Sequence, residues 1–150
     1  MSDELEQFVD DAGSENDVQK ENNGVLQDAC LFKYGQQTYA VRASKVTGAI
    51  AWRNPMPLPR SDRRVRGVVQ DRGQVVVLMA HPTGEAVSRD DTEVSRIIVC
   101  ATERGYVGLP ATLTLRVGQV RFAKEPKPGA TVDSDAGALT YLDPSLYVVT

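Results

Sequence analysis

The spacing of apolar segments constrains this chain more than any other feature of its sequence. The segments are short, rich in β-branched and aromatic residues, and separated by turn residues at intervals of about 8–12 positions, as in all-β barrels and sandwiches. One connector, Asn54–Pro59, carries three alternating prolines, which exclude it from a helix or an interior strand. We expect Met56 and Leu58 to point inward from this connector. The predicted strands are Cys30–Tyr34, Thr38–Val41, a segment ending near Trp52, Val65–Val69, Val75–Met79, Arg96–Thr102, Tyr106–Leu109, Thr112–Phe122 and Ala138–Asp143.

The two halves of the chain share one pattern. Leu31–Val41 and Ile97–Leu109 each consist of a strand, a polar turn with a glycine and a second strand, which predicts two hairpins. We therefore expect an all-β fold of two small barrels packed together, with lobes at roughly residues 29–80 and 81–150. Because the final connector is short, the last strand is expected to cross back between the lobes.

Residues 1–28 differ in charge from the rest of the chain. They hold nine acids and one base, Lys20, whereas residues 29–150 hold eleven acids and sixteen bases. Long like-charged segments repel themselves, which predicts a flexible acidic tail. The acidic start differs from a signal peptide, and no apolar run approaches the roughly 20 residues that cross a membrane. We expect a cytoplasmic protein that does not insert into a membrane.

The sequence has few of the side chains that commonly act in catalysis or metal binding. Cys30 and Cys100 lie in apolar strand segments, so we expect two buried thiols rather than a disulfide. The single histidine, His81, has no second histidine or cysteine at ligand spacing, which argues against a metal site. The sequence has no nucleophile elbow, catalytic triad or phosphate loop. We therefore predict a binding protein that is not an enzyme and uses no cofactor and no metal.

Arginine is concentrated between residues 53 and 72, where six arginines accompany two acids. A solvated basic loop or a nucleic-acid-binding barrel would each explain this density. The cluster lacks an aromatic residue apart from nearby Trp52, and the pI of about 5.2 argues against nucleic acid. Protein docking fits better, because arginine offers multidentate bonding and an apolar stem, and Gly67 and Gly73 leave room for a partner. The arginines are Arg53, Arg60, Arg63, Arg64, Arg66 and Arg72.

Five motifs follow one another along the chain. Phe32–Val41 has the pattern F-x-x-G-x-x-x-Y-A-V, and Pro57–Pro59 reads P-L-P. Val65–Val77 has the pattern V-x-G-V-x-x-x-R-G-x-V-V-V, and two further strands follow at Arg96–Cys100 and Tyr106–Leu109. In this order and at this spacing the motifs resemble the CheW family of chemotaxis adaptors. Each motif alone is a weak indicator of the family, whereas the five motifs in this order are a specific one.

The resemblance covers roughly residues 29–149 and implies two five-stranded barrels. It also implies a non-enzymatic adaptor in the cytoplasm that is recruited to membrane-associated receptor arrays. The implied partners are the cytoplasmic tip of a chemoreceptor, the regulatory domain of a CheA-type histidine kinase and other CheW-like domains, without nucleic acid. Arg72 and Gly73 match the R-G of the family motif, and Val46 matches a valine at the surface that meets the kinase. The implied partner-binding residues are Val46, Gly48, Gly67, Val69, Arg72, Gly73 and Val75.

The chain also departs from the family pattern. Gln70 and Asp71 replace an N-L pair, so a charge stands where the family has an apolar residue. Gly48 stands where an acid is common, and Val77–His81 lacks the proline and the aspartate of P-V-I-D-L. These changes fall at surface or turn positions, so they concern partner choice more than fold. Two alternatives remain open: a CheW-like protein of a gliding or pilus motility pathway that no longer couples a kinase, and a nucleic-acid-binding small barrel.

Overall fold

Strands form nearly all of the regular secondary structure in the described part of the chain, which confirms the predicted all-β fold class. A computed structural model describes residues 24–59, 62–87 and 92–147 of the 150-residue chain. These ranges contain ten strands and two single-turn 3-10 helices, at Ala43–Lys45 and Pro144–Leu146. The strands are β1 (Val25–Tyr34), β2 (Gln37–Arg42), β3 (Val46–Ala51), β4 (Val65–Asp71), β5 (Gln74–Met79), β6 (Arg96–Thr102), β7 (Gly105–Ala111), β8 (Leu113–Phe122), β9 (Thr131–Ser134) and β10 (Gly137–Leu142).

The first lobe is a closed five-stranded barrel in the order β9-β10-β2-β1-β8. Both ends of the described chain build it. β1 pairs antiparallel with β8, from Val25 opposite Phe122 to Lys33 opposite Leu113. The last strand, β10, returns to lie parallel to β2. The barrel interior is filled by apolar residues of all five strands, including Leu31, Ala40, Phe122, Val132 and Leu139.

The second lobe is a five-stranded sheet in the order β3-β6-β7-β5-β4. One face carries an apolar cluster of its own, formed by Val69, Val76, Leu78, Ile97 and Val99. The opposite face packs against the outside of the barrel. Because residues alternate between the faces of a strand, β6 contributes to both cores. The inter-lobe core consists of Cys30, Phe32, Tyr34, Tyr39, Val41, Val65, Met79, Ile98, Cys100, Val107, Leu109, Ala111 and Leu142.

The lobes do not correspond to the two halves of the sequence. The sheet uses residues 46–111, and the barrel uses residues 25–42 together with 113–142. The predicted division near residue 80 is therefore wrong, although the last strand does return to the first hairpin. The similar hairpins that suggested the division belong to different lobes. β1 and β2 enter the barrel, whereas β6 and β7 enter the sheet.

Three local predictions also differ from the structure. The first strand begins at Val25, so the predicted tail of residues 1–28 extends too far, and residues 1–23 lie outside the described ranges. A short strand, β9, lies in the proline- and glycine-rich segment between residues 124 and 137, where the sequence predicts no strand. Met56 and Leu58 point outward, with 70% and 37% of their surface exposed, because backbone bonds between Met56 and Val68 fix the connector along the edge of β4.

Both cysteines are free and buried, as the sequence predicts. Burial raises the pKa of the Cys30 thiol. Burial and the neighbouring Cys30 raise the pKa of the Cys100 thiol. Both groups are therefore protonated small apolar side chains near neutral pH. Within the described ranges, none of the helices has the length and apolar character needed to cross a membrane.

Gly108 in β7 lies where the sheet core leaves no room for a side chain. A Cβ atom there would lie 2.8 Å from Cγ2 of Ile97 and 3.1 Å from Cγ1 of Val76. We expect Gly108→Ala to lower the free energy of unfolding by about 1–3 kcal/mol, because both contacts must yield within a packed core. Urea denaturation measures this change. Gly118→Ala is the matched control, since a Cβ at Gly118 has no atom within 4 Å, and an equal loss in both variants would contradict the packing argument.

Candidate protein-docking site

The seven residues predicted to bind partners all lie in the sheet lobe, on β3, β4, β5 and the turn between β4 and β5. Four of them reach the surface or its edge. Arg72 and Gly73 form the exposed turn, and Val75 follows it with 55% of its surface exposed. Gly48 is half-buried in β3, and the Nη2 atom of Arg72 lies 3.5 Å from the position that a Cβ of Gly48 would take. The structure thus brings Gly48 and Arg72 together although 24 positions separate them (72 − 48).

The other three predicted residues lie inside the lobe. Val69 is 5% exposed and belongs to the sheet core. Val46 is half-buried and packs against the inter-lobe core. Gly67 is buried with a φ of +149°, and a Cβ there would overlap the carbonyl oxygen of Met56. Gly67 therefore permits the close approach of the proline connector to β4, and no partner reaches Gly67 or Val69 without displacing the residues that cover them.

The conformation of Arg72 is the most unusual in the site. Its φ of +51° is the only positive φ of a non-glycine residue within the described ranges. Left-handed backbone is uncommon for residues other than glycine, asparagine and aspartate, and is often found in tight turns. The Arg72 side chain is 72% exposed, and its Nη2 atom lies 3.4 Å from Oδ2 of Asp71. The turn thus presents a guanidinium group to solvent above β3.

Asp71 is the buried charge behind this arginine. Its side chain is 11% exposed, and its Oδ1 atom lies 4.0 Å from Nη2 of Arg53. One carboxylate therefore faces two guanidinium groups, one from the end of β3 and one from the β4–β5 turn. Such a carboxylate fixes the direction in which exposed arginines point. The sequence showed Asp71 as a departure from the family pattern, and its pairing with Arg53 became visible only in the fold.

Arginine side chains also bridge the gap between the two edge strands of the sheet, β3 and β4. Arg53, just beyond β3, donates from Nη1 to the carbonyl oxygen of Gln70 in β4. Arg66, in β4, places its guanidinium carbon 5.5 Å from the ring centre of Trp52, a cation–π distance. We call Arg53, Arg66 and Arg72 the arginine ridge. The arginine density predicted from the sequence is therefore partly structural, because these side chains cover backbone groups and an aromatic face at an open edge.

Arg64 is not part of the arginine ridge, because it is paired with Asp62. Its Nη2 atom lies 2.6 Å from Oδ2 of Asp62, and hydrogen bonds from Arg64 lower the pKa of that carboxyl to about 2. The pair is neutral overall at any physiological pH. Arg64 thus adds no net charge to this surface, where Arg53 and Arg72 share Asp71 and Arg66 lies over Trp52.

The surroundings of the ridge offer little that suits small-molecule chemistry. A cleft of about 230 Å³ opens beside Asp71 and Arg72, between Thr47 and Tyr106. Within the described ranges, no group of three or more histidine, cysteine, aspartate or glutamate side chains is placed to hold a metal ion. His81 lies elsewhere, with its Nδ1 atom 2.8 Å from Oγ1 of Thr83 and its ring against Tyr34.

Comparison with known proteins agrees with this geometry. Residues 28–139 match the sequence profile of the CheW-like domain. The chain belongs to the CheW-like domain family. This is a family of scaffold domains. A search of curated protein sequences gives no significant match.

The fold is similar to that of a solved CheW structure. The crystal structure of the scaffolding protein TtCheW from Thermoanaerobacter tengcongensis matches with a TM-score of 0.63. The sequences are 14% identical, and the match covers 79% of this chain and 90% of that one. At this identity the likeness shows the fold, and the CheW-like fold is thus retained here on a divergent sequence.

Proposed function

We propose that this CheW-like domain is a non-enzymatic adaptor in the cytoplasm. It couples the cytoplasmic tips of chemoreceptors to the regulatory domain of a CheA-type histidine kinase, at membrane-associated receptor arrays. The observation that carries this proposal is the family match over residues 28–139, which spans both lobes. The match supports coupling because a domain with two lobes can offer a separate surface to each of two partners.

The exposed part of the ridge supports a docking role for the β4–β5 turn. Arginine and apolar residues together are typical of interface hot spots, because a guanidinium bonds to several acceptors while its stem packs on apolar groups. Arg72 and Arg53 are exposed by 72% and 49% of their side chains, and Val75 lies two residues beyond the turn. Asp71 lies 3.4 Å from the guanidinium of Arg72 and 4.0 Å from that of Arg53, which favours their present orientation.

The inter-lobe core supports the coupling part of the proposal. Thirteen buried residues from both lobes form a single cluster between them. A shared core of this kind resists independent movement of the lobes, because close-packed interiors transmit displacement. A receptor held by one surface and a kinase held by another would then keep a fixed spacing.

Pairwise binding tests this function. The purified chain is mixed with the cytoplasmic fragment of a receptor encoded near it, with the kinase regulatory domain encoded near it, and with both. We expect two binary complexes and one ternary complex by size-exclusion chromatography with light scattering. Receptor binding without kinase binding would favour an adaptor that no longer couples a kinase. Asp71 gives this second outcome a physical basis, because it places a charge where the family pattern has an apolar residue. Binding to neither partner would overturn the proposal.

A further inference from the structure

The arginine ridge carries more positive charge than the described part of the lobe neutralises. Three guanidinium groups lie along the edge of β4, and the only carboxylate paired with them is Asp71, within the described residues. Arg66 otherwise bonds to neutral oxygens, the Tyr34 hydroxyl and the Ala80 carbonyl, each at 3.4 Å. The ridge therefore suits an acidic ligand.

Apolar surface borders the ridge on both sides. Met56 bridges to Val68 of β4 and is 70% exposed, and Val75 pairs with Gln70 of β4 and is 55% exposed. A ligand that covers this region must combine negative charge with a few apolar side chains. A uniformly charged polyanion such as nucleic acid would leave both apolar groups uncovered, so the surface fits an acidic amphipathic peptide better.

A segment of this chain has that composition. Asp3–Asp11 contains five acids, no base and three large apolar residues, Leu5, Phe8 and Val9. The acids occur on both sides of the apolar residues. This composition complements a surface on which Met56 and Val75 border the guanidinium groups.

The length of the connecting chain permits the contact. Residues 12–23 join the segment to Gly24, where the described structure begins. Twelve residues span up to about 40 Å when extended. A folded domain of this size has a radius of gyration of about 15 Å, so most of its surface lies within reach of an end attached to it.

We propose that Asp3–Asp11 docks on the arginine ridge of the same molecule. Its acids pair with Arg53 and Arg72, and its apolar residues cover Met56 and Val75. The segment thereby shields the β4–β5 turn from acidic surfaces of other proteins. This contact does not depend on the receptor or the kinase, so it stands or falls separately from the coupling function.

Paramagnetic broadening in the full-length chain tests the contact. A nitroxide is attached to a Ser2→Cys variant, in which Cys30 and Cys100 are protected because both are buried. We expect the amide signals of residues 66–75 to broaden in addition to those around Gly24, where the tail joins the domain beside Phe122. The broadening of residues 66–75 should disappear in the fivefold variant Asp3→Asn, Glu4→Gln, Glu6→Gln, Asp10→Asn and Asp11→Asn. It should also fall in 1 M salt, where the Debye length is about 3 Å.

Two charge-matched variants locate the contact on the folded domain. Arg53→Gln with Arg72→Gln should abolish the broadening, whereas Lys124→Gln with Lys127→Gln, which removes the same charge from an exposed loop, should leave it intact. The fivefold tail variant keeps every folded residue, so it remains decisive if the arginine variant unfolds. Broadening that is absent, that is centred on another surface, or that grows with protein concentration and thus arises between molecules would each overturn the proposal.

Discussion

Replacement of Phe32 by alanine is expected to lower the free energy of unfolding by about 3–5 kcal/mol, a large part of the 5–15 kcal/mol typical of a domain. Phe32 is fully buried in the inter-lobe core, and its ring stacks on Tyr39 at 5.6 Å between ring centres. Truncation removes this contact and leaves a cavity between the barrel and the sheet. Chemical denaturation, monitored by fluorescence of Trp52 in the sheet lobe, measures the loss.

The same experiment shows whether the lobes unfold together. Phe32 belongs to the barrel and Trp52 packs against the sheet core, so a shift in the fluorescence transition means that barrel damage reaches the sheet. Val117→Ala is the control, because Val117 lies on the neighbouring strand β8 and is 69% exposed. We expect Val117→Ala to change stability little. An unchanged Trp52 transition in Phe32→Ala would mean that the inter-lobe core does not couple the lobes.

Charge reversal at Arg72 is expected to weaken binding of the partner that docks on the β4–β5 turn by about 2–4 kcal/mol, or roughly 30- to 700-fold. The variant Arg72→Glu removes an exposed guanidinium and adds a carboxylate beside Asp71. An acidic partner surface would then meet repulsion. Isothermal titration with the receptor fragment and with the kinase regulatory domain identifies the partner affected.

Two further variants keep this test interpretable. Arg72→Ala removes the guanidinium without placing two carboxylates together, so it should weaken binding less while preserving the fold. Lys127→Glu makes the same charge change at an exposed position in the β8–β9 loop of the barrel lobe and should bind as the unmodified chain does. Equal losses in Arg72→Glu and Lys127→Glu would indicate long-range electrostatics rather than a contact at the turn. Unchanged affinity in both Arg72 variants would remove this residue from the docking surface.

Local patterns in the sequence predicted the strands well because those patterns act over few residues. Alternation and turn glycines placed the hairpin around Gly35 and the one around Glu103–Gly105 close to their observed positions. The strand β9 was missed because Thr131–Ser134 is short and lies among prolines and glycines. Pairing with β10 and closure of the barrel define this strand, and neither leaves a local signal.

The motifs assign the candidate site to β3, β4 and β5, but they do not give the exposure of its residues. In the structure, Arg53 and Arg72 connect β3 with β4 and the turn that follows it. Whether a residue in such a strand faces a partner or a core depends on which face of the sheet is covered. The sequence alone does not predict that Val69 faces the core. The sequence predicts Gly67 as a contact residue because it matches the family motif and leaves room for a partner. Its actual constraint comes from the Met56 carbonyl, which a folded connector brings against it.

Because the barrel combines strands from two distant parts of the chain, those strands leave the ribosome at different times during synthesis. β1 emerges early, yet its partner β8 lies about 90 residues further along the chain. The sheet is formed by one continuous stretch that leaves the ribosome in between. At synthesis rates of 5–20 residues per second, the roughly 70 residues between β2 and β8 take on the order of 3–14 s. During this interval the apolar first hairpin has no barrel to enter, so the nascent chain depends on either chaperones or the growing sheet to cover it.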